Sequence, residues 1–172
     1  MVSIQGVALF VVLIILLLLI YVATCIRIVP QAKAYVIEMF GKYRTTWHEG
    51  FHARIPFIER VVQVVNLHEQ DVKLKSQAIT TKDNVEMDVD STVFFQITDP
   101  LKFTYVIQKP FLEVENLTLA TLLNIFNGME IDKVLSSSDL INTKMRAALN
   151  KATESWGIKV NRVEVNMNVR ED

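Results

Sequence analysis

The feature that most constrains this chain is an uninterrupted apolar run at its start. From Val7 to Ile26 the sequence reads VALFVVLIILLLLIYVATCI, with no charged residue, no proline and no glycine. About 20 apolar residues in an α-helix are needed to cross the hydrocarbon core of a bilayer. We therefore predict a transmembrane helix from Val7 to Ile26, with residues 1–26 as a membrane anchor.

The apolar run is expected to remain in the mature protein. A cleaved signal peptide has a basic segment before its apolar part and a small-residue cleavage site after it. No Lys or Arg precedes Arg27, and Val22–Cys25 only faintly resembles a lipoprotein cleavage box, because Thr24 is an unusual residue before the cysteine. We expect an uncleaved, single-pass anchor.

Positive charges near the ends of the run predict its orientation. Arg27, Lys33, Lys42 and Arg44 follow the run closely, and segments rich in Lys and Arg stay in the cytoplasm. Tyr21 and Arg27 are candidate membrane-interface residues, since tyrosine favours the headgroup region and a long arginine side chain reaches it. The expectation is a cell-membrane protein with its N-terminus outside and its globular part in the cytoplasm.

The charge balance excludes some classes of function. The chain has 18 Lys and Arg against 19 Asp and Glu, a net charge of -1 at pH 7. A nucleic-acid-binding surface needs clustered cations, so no nucleic-acid partner is expected. Cys25 is the one cysteine, which excludes an internal disulfide and a cysteine-rich zinc site. The 5 glycines are isolated, so no phosphate loop and no cofactor is expected.

Hydrophobic patterning after the anchor predicts strands first and helices later. Short β-rich runs bounded by Pro and Gly predict strands near Ala34–Phe40 and Arg60–Leu67. Apolar and polar residues alternate over Val85–Ile97, which is typical of a half-buried antiparallel strand. A last strand begins at Ile158, and a change of parity within it predicts a β-bulge near Asn161–Arg162.

Capping residues and helical spacing predict two helices in the middle of the chain. Asp99 and Pro100 predict the N-cap and first residue of a short helix that continues to about Ile107. Apolar residues at helical spacing then predict a second helix over Phe111–Asn127, with Gly128 as the residue that follows its C-cap.

A third helix is predicted between a serine cap, Ser137 or Ser138, and a stop at Gly157. We expect its apolar stripe to pack on a sheet. The residues of this stripe are Ile141, Met145, Ala148, Leu149, Ala152 and Trp156. The order of elements predicts an α+β fold with a mainly antiparallel sheet and helices packed on it.

A segment soon after the anchor concentrates aromatic and apolar residues. They are Trp47, Phe51, Ile55, Phe57 and Ile58. Such side chains close to a membrane are candidates for insertion into its interface. They are equally suited to filling the core of the domain, and the sequence leaves both interpretations open.

The same segment contains an H-E-x-x-H string, His48–His52. In zinc proteases this spacing puts two imidazoles on one helical turn, with the glutamate as general base. Here Gly50 interrupts the string and Pro56 follows it, so the segment is not expected to be helical. We predict no catalytic and no metal-binding residue, and no enzyme activity.

Four stretches resemble one known family. They are IVPQAKAYVIEMFGKY, HEGFHARIPFIERV, ITTKDNVEMDVDSTVFFQITDP, and a second half from NLTLATLLNIFNGMEIDKVLSSSDLIN to ATESWGIKVNRVEV. Together these stretches extend from Ile28 to Val165 and resemble the stomatin/prohibitin/flotillin (SPFH, or band 7) superfamily, in particular the prokaryotic stomatin-like slipins. The resemblance implies that residues 27–172 form a band 7 domain behind the anchor.

The resemblance implies a scaffold subunit that oligomerises, organises membrane microdomains and modulates membrane proteins or proteases. Its implied partners are membrane lipids, further copies of the chain and a membrane serine or ATP-dependent protease. The alternative is a tethered adaptor that binds such a protease without forming a ring. This sequence differs from the family pattern at three positions, with Leu123 and Ser138 where relatives carry arginine and Ala32 where they carry glycine. Relatives also continue into a charged helical segment that drives assembly, whereas this sequence ends at Asp172.

Overall fold

The computed structural model describes residues 4–169. Contacts divide the chain between Asn66 and Leu67 into two compact units. The predicted boundary between Ile26 and Arg27 lies inside the first unit, one residue after the chain passes from a helix into a strand. Each unit is described by itself below.

The first unit consists of one helix and short antiparallel strands. Its elements are α1 (Ile4–Cys25), β1 (Ile26–Val29), β2 (Lys33–Met39), β3 (Lys42–Trp47), β4 (Gly50–Ala53) and β5 (Glu59–Asn66). β1 and β4 form a two-stranded ribbon, and β3, β2 and β5 form a sheet in that order. The strands predicted near Ala34–Phe40 and Arg60–Leu67 are confirmed as β2 and β5. Strands β1 and β4 were not predicted, because 4 residues each are too few to show an alternation of apolar and polar side chains.

The central strand β2 is covered on both faces. Val36 and Ile37 are neighbours on opposite faces of the strand, and both are fully buried. Ile37 packs with Val29 of the ribbon and Trp47 at the end of β3, and partly buried Val61 lies against this cluster. The ribbon and the sheet of the first unit therefore share one apolar core.

The second unit combines a three-stranded sheet with helices. Its elements are β6 (Gln70–Thr80), β7 (Glu86–Ile97), α2 (Pro100–Tyr105), α3 (Pro110–Phe126), α4 (Ile131–Ser136), α5 (Ser138–Thr153), a 3-10 turn (Glu154–Trp156) and β8 (Ile158–Val169). The sheet is antiparallel in the order β6-β7-β8. The α+β class, the strand predicted over Val85–Ile97 and the last strand are confirmed. α4 has 6 residues, too few for helical periodicity to reveal it.

The predicted β-bulge is confirmed at Asn161. β7 pairs Phe94 with Arg162 and Phe95 with Val160, so Asn161 has no partner in the ladder. The extra residue shifts the side-chain alternation by one place. Val160 and Val163 are therefore both buried despite their odd spacing.

The cap predicted for α2 is confirmed. The carboxylate of Asp99 accepts hydrogen bonds from the backbone N–H groups of Leu101 at 3.0 Å and Lys102 at 3.1 Å. Pro100 is the first helical residue, and at this position a backbone N–H would have no partner within the helix, so proline loses no hydrogen bond. The helix ends at Tyr105, slightly before the predicted Ile107.

The buried stripe of α5 differs from the predicted one in the second half of the helix, and the predicted members Ala152 and Trp156 are only half-buried. Ile141, Met145 and Leu149 are buried as predicted. The prediction for Ala148 was wrong, since this residue is exposed, and Thr153 is buried instead. Residues spaced by four stay on one helical face, and the Thr153 hydroxyl is satisfied because it donates to the Ile158 carbonyl at 3.1 Å.

Candidate membrane interface

Helix α1 is apolar on all its described sides. Its stretch Ala8–Cys25 is uncharged and entirely uncovered by the rest of the described protein. This helix has the length and composition of a membrane span, and no other helix within residues 4–169 has them. Val7, the predicted start of the span, lies inside α1, and the predicted end, Ile26, is the first residue of β1.

The end of α1 is fixed to the ribbon by two connections. Cys25 is its last helical residue, and β1 begins at the next residue. In addition, the backbone N–H of Arg54, just after β4, donates to the Cys25 carbonyl at 2.7 Å. This bond satisfies one of the carbonyls that a helix leaves free at its C-terminal end. Both strands of the ribbon therefore lie next to the end of the helix.

One face of the ribbon packs on the core of the first unit. Val29 is buried on this face, and the His52 ring stacks on the Trp47 ring with 5.0 Å between centroids. Trp47 is only 7% exposed. The structure therefore assigns Trp47 to the core rather than to a membrane interface, because its ring is enclosed by residues that come from separate strands.

The H-E-x-x-H string runs from the short connection after β3 into strand β4. His48 follows β3 and His52 lies in β4, so the two imidazoles do not share a helical face. The Nε2 atom of His52 donates to the His48 carbonyl at 2.7 Å. Within residues 4–169, no three His, Cys, Asp or Glu side chains are grouped as a metal site.

The opposite face of the ribbon is apolar and exposed. Ile26 and Ile28 point to this face, and Ile28 lies directly across from Phe51. All three side chains are exposed. At about 3.3 Å per residue they lie within roughly 10 Å of the end of α1. The apolar surface of the helix thus continues onto the folded part of the unit.

A tight turn before β5 presents a fully exposed phenylalanine. The backbone N–H groups of Ile58 and Glu59 donate to the Ile55 carbonyl at 3.4 and 3.1 Å. Phe57 at the tip of the turn is 99% exposed and has φ of 71°, in the left-handed region. That conformation costs a residue with a side chain about 1 kcal/mol or more. The Phe57 ring therefore contributes nothing to the core of the first unit, which makes it a candidate for contact with a membrane.

A buried carboxylate holds this turn in place. The Glu59 side chain is 3% exposed and forms an ion pair with Arg44 of β3. It also accepts a hydrogen bond from the backbone N–H of Ile55 at 2.9 Å. A buried charge requires such partners, since water no longer solvates it. The ion pair between Glu59 and Arg44 was not predictable from the sequence, because no local pattern links a glutamate that opens a strand to an arginine in another strand.

A second exposed aromatic ring lies at the same end of the sheet. Phe40, in the turn between β2 and β3, is 79% exposed and has φ of 51°. The strand register pairs Met39 with Glu59, so this turn and the Phe57 turn are adjacent. Phe40 was not among the predicted interface residues, although an aromatic residue before Gly41 in a hairpin turn was a usable signal.

These features form one surface, which we call the apolar end of the first unit. The Arg54–Cys25 bond places the end of α1 beside the turn that carries Phe57. Of the predicted interface residues, Tyr21 lies in the last turns of α1 and Arg27 in β1, and both are exposed. The exposed residues of the apolar end are Ile26, Ile28, Phe40, Phe51, Ile55, Phe57 and Ile58.

Comparison with known proteins identifies the family. Residues 27–167 match the family model described as SPFH domain / Band 7 family. An uncharacterized protein of Mycobacterium tuberculosis is 38% identical over 91% of this chain and 41% of its own length. One of Methanothermobacter thermautotrophicus is 35% identical over 89% of this chain and 48% of its own length. Stomatin-like protein 2, mitochondrial, of Mus musculus is 30% identical over 83% of this chain and 40% of its own length.

The chain therefore spans less than half the length of these relatives. The match covers both compact units, from the first residues after the apolar helix almost to the end of β8. It confirms the resemblance found in the sequence. This chain belongs to the SPFH domain / Band 7 family.

Proposed function

We propose that this chain is a membrane-anchored scaffold subunit. The main observation behind the proposal is that helix α1 is apolar on all its described sides. It is joined without a linker to the ribbon of β1 and β4, whose outer face is also apolar. A uniformly apolar helix that is uncovered by protein is stable in lipid and not in water. In the proposal α1 crosses the cell membrane and the apolar end of the first unit lies in the interface.

The proposed orientation places the N-terminus outside and both folded units in the cytoplasm. Arg27 and Lys33, both exposed, follow α1 closely, and positive charge favours the cytoplasmic side. Tyr21 would lie at headgroup depth, as tyrosines at the ends of spans do. The aromatic rings of Phe51 and Phe57 would enter the same layer from the folded unit.

The proposed activity is assembly rather than catalysis. Copies held by their anchors in one plane meet at a raised effective concentration, so modest lateral contacts suffice to join them. Relatives that are named stomatin-like proteins support this role. Through assembly the chain would organise a membrane microdomain and modulate membrane proteins, a membrane protease among them.

Particle size after gentle detergent extraction tests the scaffold proposal. We expect a closed particle of several subunits, measured by native mass spectrometry and electron microscopy. The same measurement on a chain extended by a charged helical segment, as in longer relatives, serves as the comparison. A stoichiometric complex with one protease would favour the adaptor instead, and a monomer in both preparations would refute the scaffold.

Fluorescence quenching by brominated lipids tests the proposed interface. In proteoliposomes, Phe57→Trp should add emission that these lipids quench strongly, because ring insertion brings the indole into contact with the acyl chains. Val64→Trp is the matched control, since Val64 is an exposed apolar residue farther along β5. Equal quenching in the two variants, after subtraction of the wild-type signal, would contradict insertion of the Phe57 turn.

A further inference from the structure

Two arginines lie on the ribbon of β1 and β4 next to the end of α1. Arg27 of β1 is paired with His52, and Arg54, just after β4, donates its backbone N–H to the Cys25 carbonyl. Side chains alternate between the two faces of a strand, so the register assigns both arginines to the face opposite the exposed Ile28. Diagonal neighbours on one face of such a pair are roughly 7–8 Å apart. The ribbon is therefore amphipathic, with two cations beside the apolar helix.

The fold supplies no counter-ion for these two arginines. Neither Arg27 nor Arg54 forms an ion pair with any residue that the structure describes. The Nε atom of Arg54 is buried and has no hydrogen-bond partner within residues 4–169. A buried donor without an acceptor costs free energy, which a ligand that supplies the acceptor recovers. Arg54 as a whole is only half-buried, so its side chain is accessible from outside the described protein.

The first unit has too few carboxylates to neutralise its cations. Within residues 1–66 there are three carboxylates, Glu38, Glu49 and Glu59, and six cations, Arg27, Lys33, Lys42, Arg44, Arg54 and Arg60. Glu59 is already paired with Arg44, and Glu38 lies across from Arg60 in the ladder of β2 and β5. Glu49 precedes the end of the ribbon that is farther from α1. The excess positive charge therefore includes both arginines beside α1, and an anion is the ligand that fits them.

We propose that Arg54 and Arg27 bind the phosphate of an anionic phospholipid headgroup. The ligand is a lipid rather than a soluble anion, because the site adjoins the last residue of the uncharged stretch Ala8–Cys25, which has the length and composition of a membrane span. Phospholipid headgroups lie at the depth where such a span ends. The planar fork of an arginine matches two phosphate oxygens. The inference rests on the proposed membrane-anchored function and adds to it a preference among lipids.

Lipid binding to the full chain in detergent tests the site. Native mass spectrometry measures the dissociation constants of phosphatidylglycerol, which is anionic, and of phosphatidylcholine, which has no net charge. The wild type should bind phosphatidylglycerol about tenfold more tightly, which is the usual effect of one charge-assisted hydrogen bond. Arg54→Gln should remove this preference by weakening the binding of phosphatidylglycerol alone. Arg54→Lys should retain part of the preference, because the charge remains and the fork is lost.

Two further variants control for unfolding and for diffuse attraction. Arg27→Gln changes an exposed side chain and should lower the preference about fivefold, so it tests the site even if circular dichroism shows that Arg54→Gln is unfolded. Lys33→Gln removes an exposed cation of the same unit and should leave the preference unchanged. Lys33 is six residues from Met39 along β2, roughly 20 Å from the end of the sheet that carries the Phe57 turn.

The other outcomes overturn the inference in distinguishable ways. If the wild type binds both lipids equally, the site has no headgroup preference, and the anchor and scaffold proposals stand. If Lys33→Gln loses as much as Arg54→Gln, the attraction is diffuse and no site exists at the arginines. If millimolar inorganic phosphate displaces phosphatidylglycerol, the ligand is a soluble anion and not a lipid. A wild type that sodium carbonate removes from membranes overturns the anchor proposal and this inference together.

Discussion

Gly157→Ala is expected to lower the free energy of unfolding by about 3 kcal/mol. Gly157 ends the last helical turn with φ of 72°. A Cβ atom there would lie 2.4 Å from the Asp99 carbonyl oxygen and 2.8 Å from the Asp99 Cβ. The Gly157 carbonyl also accepts from the N–H groups of Thr98 at 2.9 Å and Asp99 at 3.1 Å, and these bonds must shift to relieve the clash.

Two other glycines provide matched controls, measured by urea unfolding in detergent. Gly128 lies outside the left-handed region and its added Cβ would meet its nearest atom at 3.6 Å, so Gly128→Ala should change stability by less than about 0.5 kcal/mol. Gly41 has φ of 78° but open space around it, so Gly41→Ala should cost about 1 kcal/mol. A loss for Gly157→Ala no larger than that for Gly41→Ala would show that the close approach to Asp99 does not matter.

Trp47→Ser is expected to destabilise the first unit by about 3–5 kcal/mol, which is the usual cost of truncating a buried large aromatic residue. The ring packs against Val29 and Ile37 and stacks on His52, so its loss leaves a cavity between the ribbon and the sheet. Urea unfolding monitored by circular dichroism measures the change.

Phe57→Ser is the matched control for this prediction. Because the Phe57 side chain is fully exposed, its replacement should change stability by less than about 0.5 kcal/mol. Equal stability of the two single variants would contradict a core position for Trp47 and restore it as an interface candidate.

Features set by neighbouring residues were predictable from the sequence. The apolar helix, the alternation along β7, the Asp99 cap of α2 and the bulge at Asn161 each depend on a few consecutive residues. Their physical causes are side-chain hydrophobicity, the period of the backbone and local hydrogen bonding. The family resemblance extended these local predictions to the whole fold.

Features that depend on distant residues were decided only by the tertiary structure. Among the five clustered apolar residues after the apolar helix, strand pairing buries Trp47 and leaves Phe57 uncovered. The register of β2 with β5 brings Phe40 beside the Phe57 turn, and Glu59 ties that turn to Arg44. Burial is a property of what packs on a side chain, which the side chain's own sequence neighbours do not specify. The sequence by itself thus determined that this protein has an apolar helix long enough to span a membrane and an α+β domain, and the packing decided which residues are left exposed.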